Sequence, residues 1–565
     1  MATNYNFSKE EEKILRYWIE NQIFQKSLDS SSSKPTFYMY EGPPFATGSP
    51  HYGHILTGTI KDCVCRMASM MGYHVPRVSG FDTHGLPIEQ EIEKKFGIKS
   101  KSEVMEFGLA NYNKECRNIV LRCEDEWKTT ITRMARFLDW DNGYKTMDKS
   151  FMESVWKVFA RLFEKGLVYK GFRVMPYSTA LTTPISNFEA NQNYKDVHDK
   201  TVYVKFETTL GTMLVWTTTP WTLFSNQALC VNPELTYVKV ECNGEEYILA
   251  ESRIADVFKE LIKKKNKVNI LQKMLGAELV GHTYNPLFAY NPQKTYRILG
   301  DSFVTDSSGT GIVHISPAFG ADDFDVSVKN GVIQRDGTDM FMPIDDNANY
   351  TITDPKYCGK LVFDCDSDII KDLKESGALF KQSQHKHSYP FCWRSDTKLI
   401  YRAVTSWFVK TTDIREQLLE ANRTINWVPA HIGAKRFHNW LENVRDWNIS
   451  RNRYWGCPIP IWESEDGTET VIIDSVEKLE KMANLSTGTI SDLHKENIDH
   501  ITFMYRGKLM RRIPEVFDCW FESGSMPFAQ TGTYRQADFI CEGIDQTRGW
   551  FYTLLVLGVA LNNET

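Results

Sequence analysis

The apolar positions of this chain follow two rhythms. Up to about residue 170, and again after Tyr401, short continuous apolar runs alternate with three- and four-residue recurrences, the marks of buried strands and amphipathic helices. Phe37–Tyr40 and Tyr73–Val78 read as strands. Leu56, Ile60, Val64, Met67 and Met71 form the stripe of one helix, and Met152, Val155, Phe159 and Leu162 that of another, stopped by Gly166. Residues 102–138 read as helix, mostly polar on one face. From about Thr201 to Gln384 the period shortens, and Val202–Phe206, Met213–Trp216, Tyr237–Glu241 and Ile312–Ile315 are strand-length runs between turn residues. The pattern predicts a β-rich domain inserted between α/β segments.

The same reading sets the expected boundaries. An N-terminal helix and polar linker occupy 1–35, and the first α/β segment 36–170. A turn-rich connector covers 171–200, the β domain 201–384, and a mixed return segment 385–458. A second, charged insertion spans 459–512, and a closing α/β segment 513–565 ends in an apolar helix from Arg548 through Leu561.

Composition narrows the class. The chain has 565 residues, 42% apolar and 24% charged, which fits a multi-domain globular protein. No apolar run is long enough to span a membrane. The formal net charge of −6 argues against chain-wide polyanion binding but not against a local basic face. Twelve scattered cysteines without a CxxC pair, and no secretory signal or Arg-rich transit segment, predict free thiols and a cytoplasmic location.

Candidate chemistry concentrates in Glu41–Asp62, EGPPFATGSPHYGHILTGTIKD. Strand, small-residue turn and helix N-terminus form a phosphate-receiving architecture, because unpaired N–H groups and the helix dipole face outward. His51 and His54 add imidazole donors, and Gly53 between them leaves room for a ligand. A second polar group, Gly80-Phe81-Asp82-Thr83-His84-Gly85-Leu86-Pro87, sits where α/β folds place ligands, at a strand end.

Together HYGH and GFDTHGLPIE resemble the class I aminoacyl-tRNA synthetases, and the inserted β domain resembles the editing domain of their branched-chain subgroup. DCWFESGSMPFAQ (518–530) and CEGIDQTRGWFYTLLVLG (541–558) resemble the isoleucine-specific branch of eukaryotic cytosolic type. The resemblance runs through essentially the whole chain. It implies a Rossmann-like parallel nucleotide-binding sheet split by a large β-rich editing insertion. It also implies activation of L-isoleucine by ATP with Mg2+ and transfer to tRNA(Ile). The carboxylate would attack the α-phosphate, with rate supplied by positioning and charge stabilisation.

By that resemblance His51 and His54 hold phosphates and developing charge, Gly42 and Pro43 wall the amino-acid pocket, and Asp82 pairs with the α-ammonium. Trp520 and Trp550 close the apolar pocket, Glu542 holds the ribose hydroxyls, and Gln546 helps hold the amino acid. Tryptophans in apolar runs fit a core equally well; the motifs around them favour the pocket. Glu542, Gln546 and Trp550 lie four residues apart, so they would share one face if helical.

A hydrophobic pocket rejects a substrate smaller by one methylene by only ~1–3 kcal/mol, and isoleucine against valine is the standard worked example of that limit. A second, hydrolytic site is therefore expected. Thr217, Thr218, Thr219 and Thr222 would orient a water and the terminal ribose. From the segment GTGIVHISPAFGADD, His314 would crowd out isoleucine and Asp323 would hold the ammonium of misattached valine. Ordinary β-propensity would account for the threonines without that second segment.

Zinc is not expected in this portion. Where some family members carry CxxC pairs, this chain reads Met175-Pro176-Tyr177-Ser178 and Cys392-Trp393-Arg394-Ser395, with His385 and His387 unable to complete four ligands. No Lys-Met-Ser-Lys-Ser segment occurs. The resemblance would place it beyond Thr565, with the anticodon-binding region, so an N-terminal portion is expected. A multi-synthetase complex would be reached through regions outside this chain. Three readings stay open: a synthetase, an editing hydrolase, and a non-catalytic tRNA-binding protein. A different HxGH nucleotidylyltransferase would have no use for the Thr-rich domain.

Overall fold

The computed structural model describes residues 6–562 apart from 99–100, 186–189, 191–192, 292–294, 393–394 and 531. Two compact units are present: Met1–Tyr169 with Ser406–Thr565, and Lys170–Thr405 between those halves in sequence.

In the first unit, α1 (Phe7–Glu20) and α2 (Ile23–Ser31) precede an extended segment. The expected strand 37–40 is held by parallel bridges at Thr36 and Met39, to His74 and Phe539. His74 exchanges 2.8 Å hydrogen bonds with Pro35 and Phe37, and Asp538 donates to the Tyr38 carbonyl at 2.8 Å. The expected strand 73–78 begins only at Val78, as β1 (Val78–Phe81). Pro76 lacks the N–H a ladder needs and delays pairing. β1 runs parallel to β2 (Asp139–Lys145), with Phe81 opposite Lys145. The crossover between them carries α4 (Leu86–Phe96) and α5 (Leu109–Arg133). Gly108, at φ +87°, separates α5 from the shorter helix Lys101–Phe107 and so divides the single helix expected over 102–138.

The helix after HYGH, α3 (Tyr52–Met70), forms as expected but faces the other way. Leu56 and Met67 are 63% and 59% exposed, while Gly58, Lys61, Cys65 and Ala68 are buried. Three of these four inward residues are small, which lets the helix approach closely and brings Lys61 inside. α6 (Lys149–Glu164) does follow its stripe and buries Phe151, Met152, Val155, Trp156, Phe159 and Leu162. Truncating Phe159, which is fully buried, would cost about 3–5 kcal/mol.

The second unit is a six-stranded sheet backed by short helices. Its strands are β3 (Tyr194–Thr208), β4 (Gly211–Thr217), β6 (Thr236–Cys242), β7 (Glu245–Ala250), β8 (Asn269–Leu275) and β11 (Leu379–Pro390). Their order is β8-β6-β7-β4-β3-β11. A three-stranded sheet places β5 (Ala228–Val231) between β9 (Ile298–Gly300) and β10 (Ile312–Ile315). Val202, Val204 and Phe206 alternate inward along β3 and are fully buried. The register sets Val202 opposite Thr217, which places the threonine run at the end of β4. The longest helices of the unit among the described residues are α7 (Ala321–Lys329) and α8 (Val362–Glu375).

Back in the first unit, the charged segment 459–512 folds as an antiparallel sheet of β12 (Ile461–Ser464), β13 (Thr470–Ile472), β14 (Phe503–Tyr505) and β15 (Lys508–Arg512). Its Trp462, Leu479, Leu493 and Phe503 belong to the same apolar core as Phe159 and Phe521. After α9 (Cys519–Gly524), the last described helix is α10 (Trp550–Asn562), which is apolar on all sides and correspondingly buried.

Candidate functional site

The α3 N-terminus carries both histidines in a reciprocal cap. His51 Nδ1 accepts from Gly53 N at 3.0 Å, and His54 Nδ1 accepts from His51 N at 3.3 Å. The rings stack with centroids 3.8 Å apart. Since each Nδ1 is an acceptor, a neutral ring carries its proton on Nε2, free to donate to a phosphate oxygen. Burial, then His51 and Lys61, lowers the His54 pKa and favours that neutral form. Gly53 has a further steric role beside the histidines. A Cβ there would lie 2.8 Å from His51 Cε1, so the glycine makes room for the imidazole.

Two turns after His54, on the same helix, Lys61 binds the far end of the chain. Its Nζ lies 2.5 Å from Glu542 Oε1 and 2.8 Å from Glu41 Oε1, with only 3% of the side chain exposed. Arg136 pairs with the other Glu41 oxygen. Gly42 N also donates to Glu542 Oε1, at 3.0 Å. A Cβ on Gly42 would sit 2.4 Å from that oxygen, so only glycine permits the contact. The result is a buried set of two cations and two carboxylates that fixes Glu542. Burial would raise the Glu41 pKa, but Lys61 and Arg136 outweigh it and hold the group at about 2. Glu542 is pushed up by burial, against the pull of Lys61. Lys61 is not among the residues that the sequence singles out; the available signal was a lysine on the small-residue side of α3, seven positions from His54.

Asp82 ends β1. Its carbonyl accepts from Ala46 N at 3.0 Å and its N–H donates to Pro44 at 2.9 Å, which ties the Gly- and Pro-rich turn to the strand. The carboxylate is 1% exposed, and Oδ1 has no hydrogen-bond partner among the described residues. Burial raises its pKa well above the ordinary value, and Glu522 adds to the rise wherever its charge is not balanced by His84. A buried carboxylate oxygen without a donor calls for a cation or a protonated group from outside.

The common helical face expected for Glu542, Gln546 and Trp550 is not formed. The chain turns through a 3₁₀ segment, Ile544–Arg548, and breaks at Gly549 before α10 begins at Trp550. Gln546 Oε1 accepts from Trp550 N at 2.9 Å, so this side chain caps α10. Trp550 is 2% exposed and donates from Nε1 to the Ser523 carbonyl at 3.1 Å. Trp520 is half-buried, edge-on to Phe45 at 5.8 Å and beside Gly549. Pro43 is likewise half-buried, next to Gly42.

The second unit holds its own cavity, of 280 Å³, lined by Thr217, Thr218, Thr219, Thr222, His314 and Asp323 among others. The hydroxyls of Thr217, Thr219 and Thr222 run in series at 3.3 and 3.1 Å. His314 Nε2 is 3.0 Å from Thr222 Oγ1, and Nδ1 accepts from Asn226 at 2.8 Å. Tyr284 holds Asn226 from behind at 2.5 Å. The ring is therefore fixed as the neutral Nε2–H tautomer, in keeping with burial lowering its pKa to about 4. Asp323, in the first turn of α7, accepts from Ser316 N at 2.8 Å, and burial raises its pKa to about 7. Asn226, which orients His314, does not stand out in the sequence either. There it is one polar residue among many, and only the fold turns it toward the ring.

Of the four-residue stretches considered for zinc, Trp393 and Arg394 lie outside the described residues. Cys392 is buried with Leu181, Ile185, Ala190 and Leu399. No cluster of three or more His, Cys, Asp or Glu side chains arranged for a metal occurs among the described residues.

The HxGH helix start, the buried carboxylate of Asp82 and Glu542, which meets Lys61 across 481 positions, all lie in the first unit. The model of the class I tRNA synthetases for isoleucine, leucine, methionine and valine matches residues 13–565, and the chain belongs to that family. It is 52% identical to the cytoplasmic isoleucine–tRNA ligase of Mus musculus, over 99% of this chain and 45% of that protein. It is 51% identical to the cytoplasmic isoleucine–tRNA ligase of Saccharomyces cerevisiae, over 99% of this chain and 54% of that one. The chain thus spans about half the length of the curated relatives it matches. Among solved structures, the LeuRS of Agrobacterium radiobacter K84, in ternary complex with tRNA and LeuAMS, aligns with a TM-score of 0.44 and 16% identity, covering 99% of this chain and 66% of that one.

Proposed function

We propose that this chain carries the amino-acid-activating site of a cytoplasmic isoleucine–tRNA ligase, with L-isoleucine, MgATP and tRNA(Ile) as substrates. The observation that carries the reading is the convergence on α3. Its N-terminus presents the His51 and His54 Nε2 donors, and its Lys61 fixes Glu542. Oε1 of Glu542 is occupied by Lys61 and Gly42, which leaves Oε2 to meet the ribose hydroxyls. Asp82 takes the α-ammonium, the donor its unpartnered oxygen calls for. With both ends of the amino acid held, its carboxylate attacks the α-phosphate, and the imidazoles stabilise charge on the phosphate oxygens. On this reading the first unit is a Rossmann-like fold into which the second unit, an editing domain, is inserted. The parallel bridges joining Thr36 to His74 and Met39 to Phe539, and the β1–β2 pair, support it.

The test is isoleucine-dependent exchange of pyrophosphate into ATP. Exchange absent both from this chain and from the chain extended to the full length of its relatives would sink the reading.

A second activity belongs to the threonine-lined cavity. The hydroxyl series and a neutral, clamped His314 support hydrolysis of valyl-tRNA(Ile), with Asp323 on the ammonium. All its residues lie within the second unit, so it is read as operating without the synthetic site. Valine release should be lost in Asp323→Ala; full hydrolysis by that variant would count against the assignment. No metal is assigned to either site beyond the Mg2+ that accompanies ATP.

A further inference from the structure

Behind Asp82 lies a buried chain of titratable groups that the activation chemistry does not use. His84 Nδ1 is 2.5 Å from Glu522 Oε2, and His84 Nε2 is 2.9 Å from His494 Nε2. His494 Nδ1 is 2.6 Å from Asp492 Oδ1. His84, Glu522 and His494 are at most 1% exposed, whereas Asp492 reaches the surface beside Arg117. His494 comes from the segment between β13 and β14, more than four hundred positions from His84, and stacks on Trp455 at 4.4 Å. Trp455 Nε1 in turn donates to the Thr83 carbonyl at 2.6 Å. The peptide units on which Asp82 sits are therefore gripped by groups remote in sequence.

The proton count follows from the geometry. Asp492 is ionised: burial opposes this, but His494 and Arg117 hold its pKa at about 2. The 2.6 Å contact to that carboxylate takes the His494 Nδ1 proton, in preference to the 3.3 Å contact with Arg117, which already pairs with the other Asp492 oxygen. Burial keeps His494 neutral, with its pKa lowered to about 4. Its Nε2 is then a lone pair, and His84 Nε2 must be the donor. With that proton fixed on Nε2, one further proton lies between His84 Nδ1 and Glu522. The pair is either imidazole with carboxylic acid or imidazolium with carboxylate, and in both cases carries no net charge. Without His494, His84 could keep its single proton on Nδ1 and face a fully ionised Glu522. That would add a negative charge beside Asp82, and Asp82 would hold a proton to higher pH.

We propose that His494 is a positioning residue for the amino-acid pocket: by fixing His84 as an Nε2 donor, it neutralises the Glu522–His84 pair and leaves Asp82 as the uncompensated carboxylate for the substrate ammonium. The proposal rests on the reading of Asp82 given under the proposed function. Other charged groups around the pair are already matched or neutral. Asp518 pairs with Arg451, and Glu89 is held by Arg453 and by the Tyr454 and Trp455 amides. The buried thiols of Cys457 and Cys519 are pushed up by burial and stay protonated.

The test is L-isoleucine binding by calorimetry as a function of pH. His494→Leu should weaken binding about tenfold at neutral pH and move the midpoint of its pH dependence up by about one pH unit, with recovery in base. His494→Gln, whose amide oxygen can accept from His84, should restore the wild-type profile. In a Glu522→Gln background, His494→Leu should no longer move the midpoint. Nitrogen chemical shifts of the histidines in the unaltered chain provide a reading that needs no variant, and should show His494 protonated on Nδ1 alone. A wild-type profile in His494→Leu, or an Nε2-protonated His494, overturns the inference while leaving the functional reading intact. Failure of the unaltered chain to take L-isoleucine overturns that reading, and this one with it.

Discussion

Lys61 and Glu542 stand 481 positions apart in sequence and 2.5 Å apart in space, both inside the protein. The pair joins the helix of the first motif to the loop of the last, and its energetics follow from burial. Neither charge is stable there alone, so each fixes the other's place.

Lys61→Met should leave Glu41 and Glu542 one cation short. Loss of about 3–5 kcal/mol in stability is expected, read by urea denaturation. Adding Glu542→Gln should recover most of that stability without recovering binding of a non-hydrolysable isoleucyl-adenylate analogue. Recovery of binding in the double variant would show that Glu542 is not a ligand-holding group.

Gly42→Ala should act on the same carboxylate from the other side, since the new methyl would fall 2.4 Å from Glu542 Oε1. Calorimetry should show ATP affinity reduced about tenfold or more, in proportion to the lost charge-assisted contact. An affinity equal to that of the unaltered chain would place the ribose elsewhere.

His54→Ala should slow adenylate formation about 10²–10³-fold in single-turnover measurements, as expected for removal of one preorganised donor to developing charge. The same change at Tyr52, which is 89% exposed, should have little effect.

Asp323→Asn should stabilise the protein while abolishing valine release. Burial raises the folded-state pKa of Asp323 to about 7, above the ordinary carboxylate value. The native state therefore binds the proton more tightly, and the contribution of Asp323 to stability is greatest in acid and is lost as pH rises through about 7. At about pH 8 the uncharged variant should gain ~2–4 kcal/mol, because each tenfold difference in proton affinity between folded and unfolded chain is worth about 1.36 kcal/mol, and near pH 4 it should gain almost nothing. Hydrolysis by the unaltered chain should fall as pH drops below about 7, because only the carboxylate attracts an ammonium.

Asn226→Ala should release His314 from its tautomer and rotamer, since Asn226 supplies the Nδ1 donor at 2.8 Å. On the proposed reading of His314 as a size filter, hydrolysis of isoleucyl-tRNA(Ile) should then rise relative to that of valyl-tRNA(Ile). An unchanged ratio would remove His314 from the size filter.

Much of this is legible in the sequence because it rests on local chemistry. The HYGH turn at a helix start, the polar loop ending β1 and the strand-length runs from Val202 onward depend on hydrogen bonding and side-chain alternation within a few residues. Expectation and structure part where local pattern meets long-range packing. The stripe Leu56–Met67 reads as the core face of α3, whereas the buried side is the one with Gly58, Lys61, Cys65 and Ala68. Hydrophobic periodicity cannot foresee that a close approach and a buried lysine take precedence. Four-residue spacing suits a continuous helix, whereas the chain forms a 3₁₀ segment and breaks at Gly549, so that the Gln546 oxygen caps α10.

Alone, then, the sequence determined the motifs, their order, the mixture of α/β and β-rich segments, and the types of side chain available for chemistry. Tertiary structure decided which of them meet. Glu542 reaches Gly42, and His494 reaches His84, only because strands and helices far apart in the chain are packed side by side. Their charge states are decided there too. An Asp, a His or a Lys has one ordinary pKa in a sequence, but burial and a partner a few ångströms away move it, and those exist only in the folded chain.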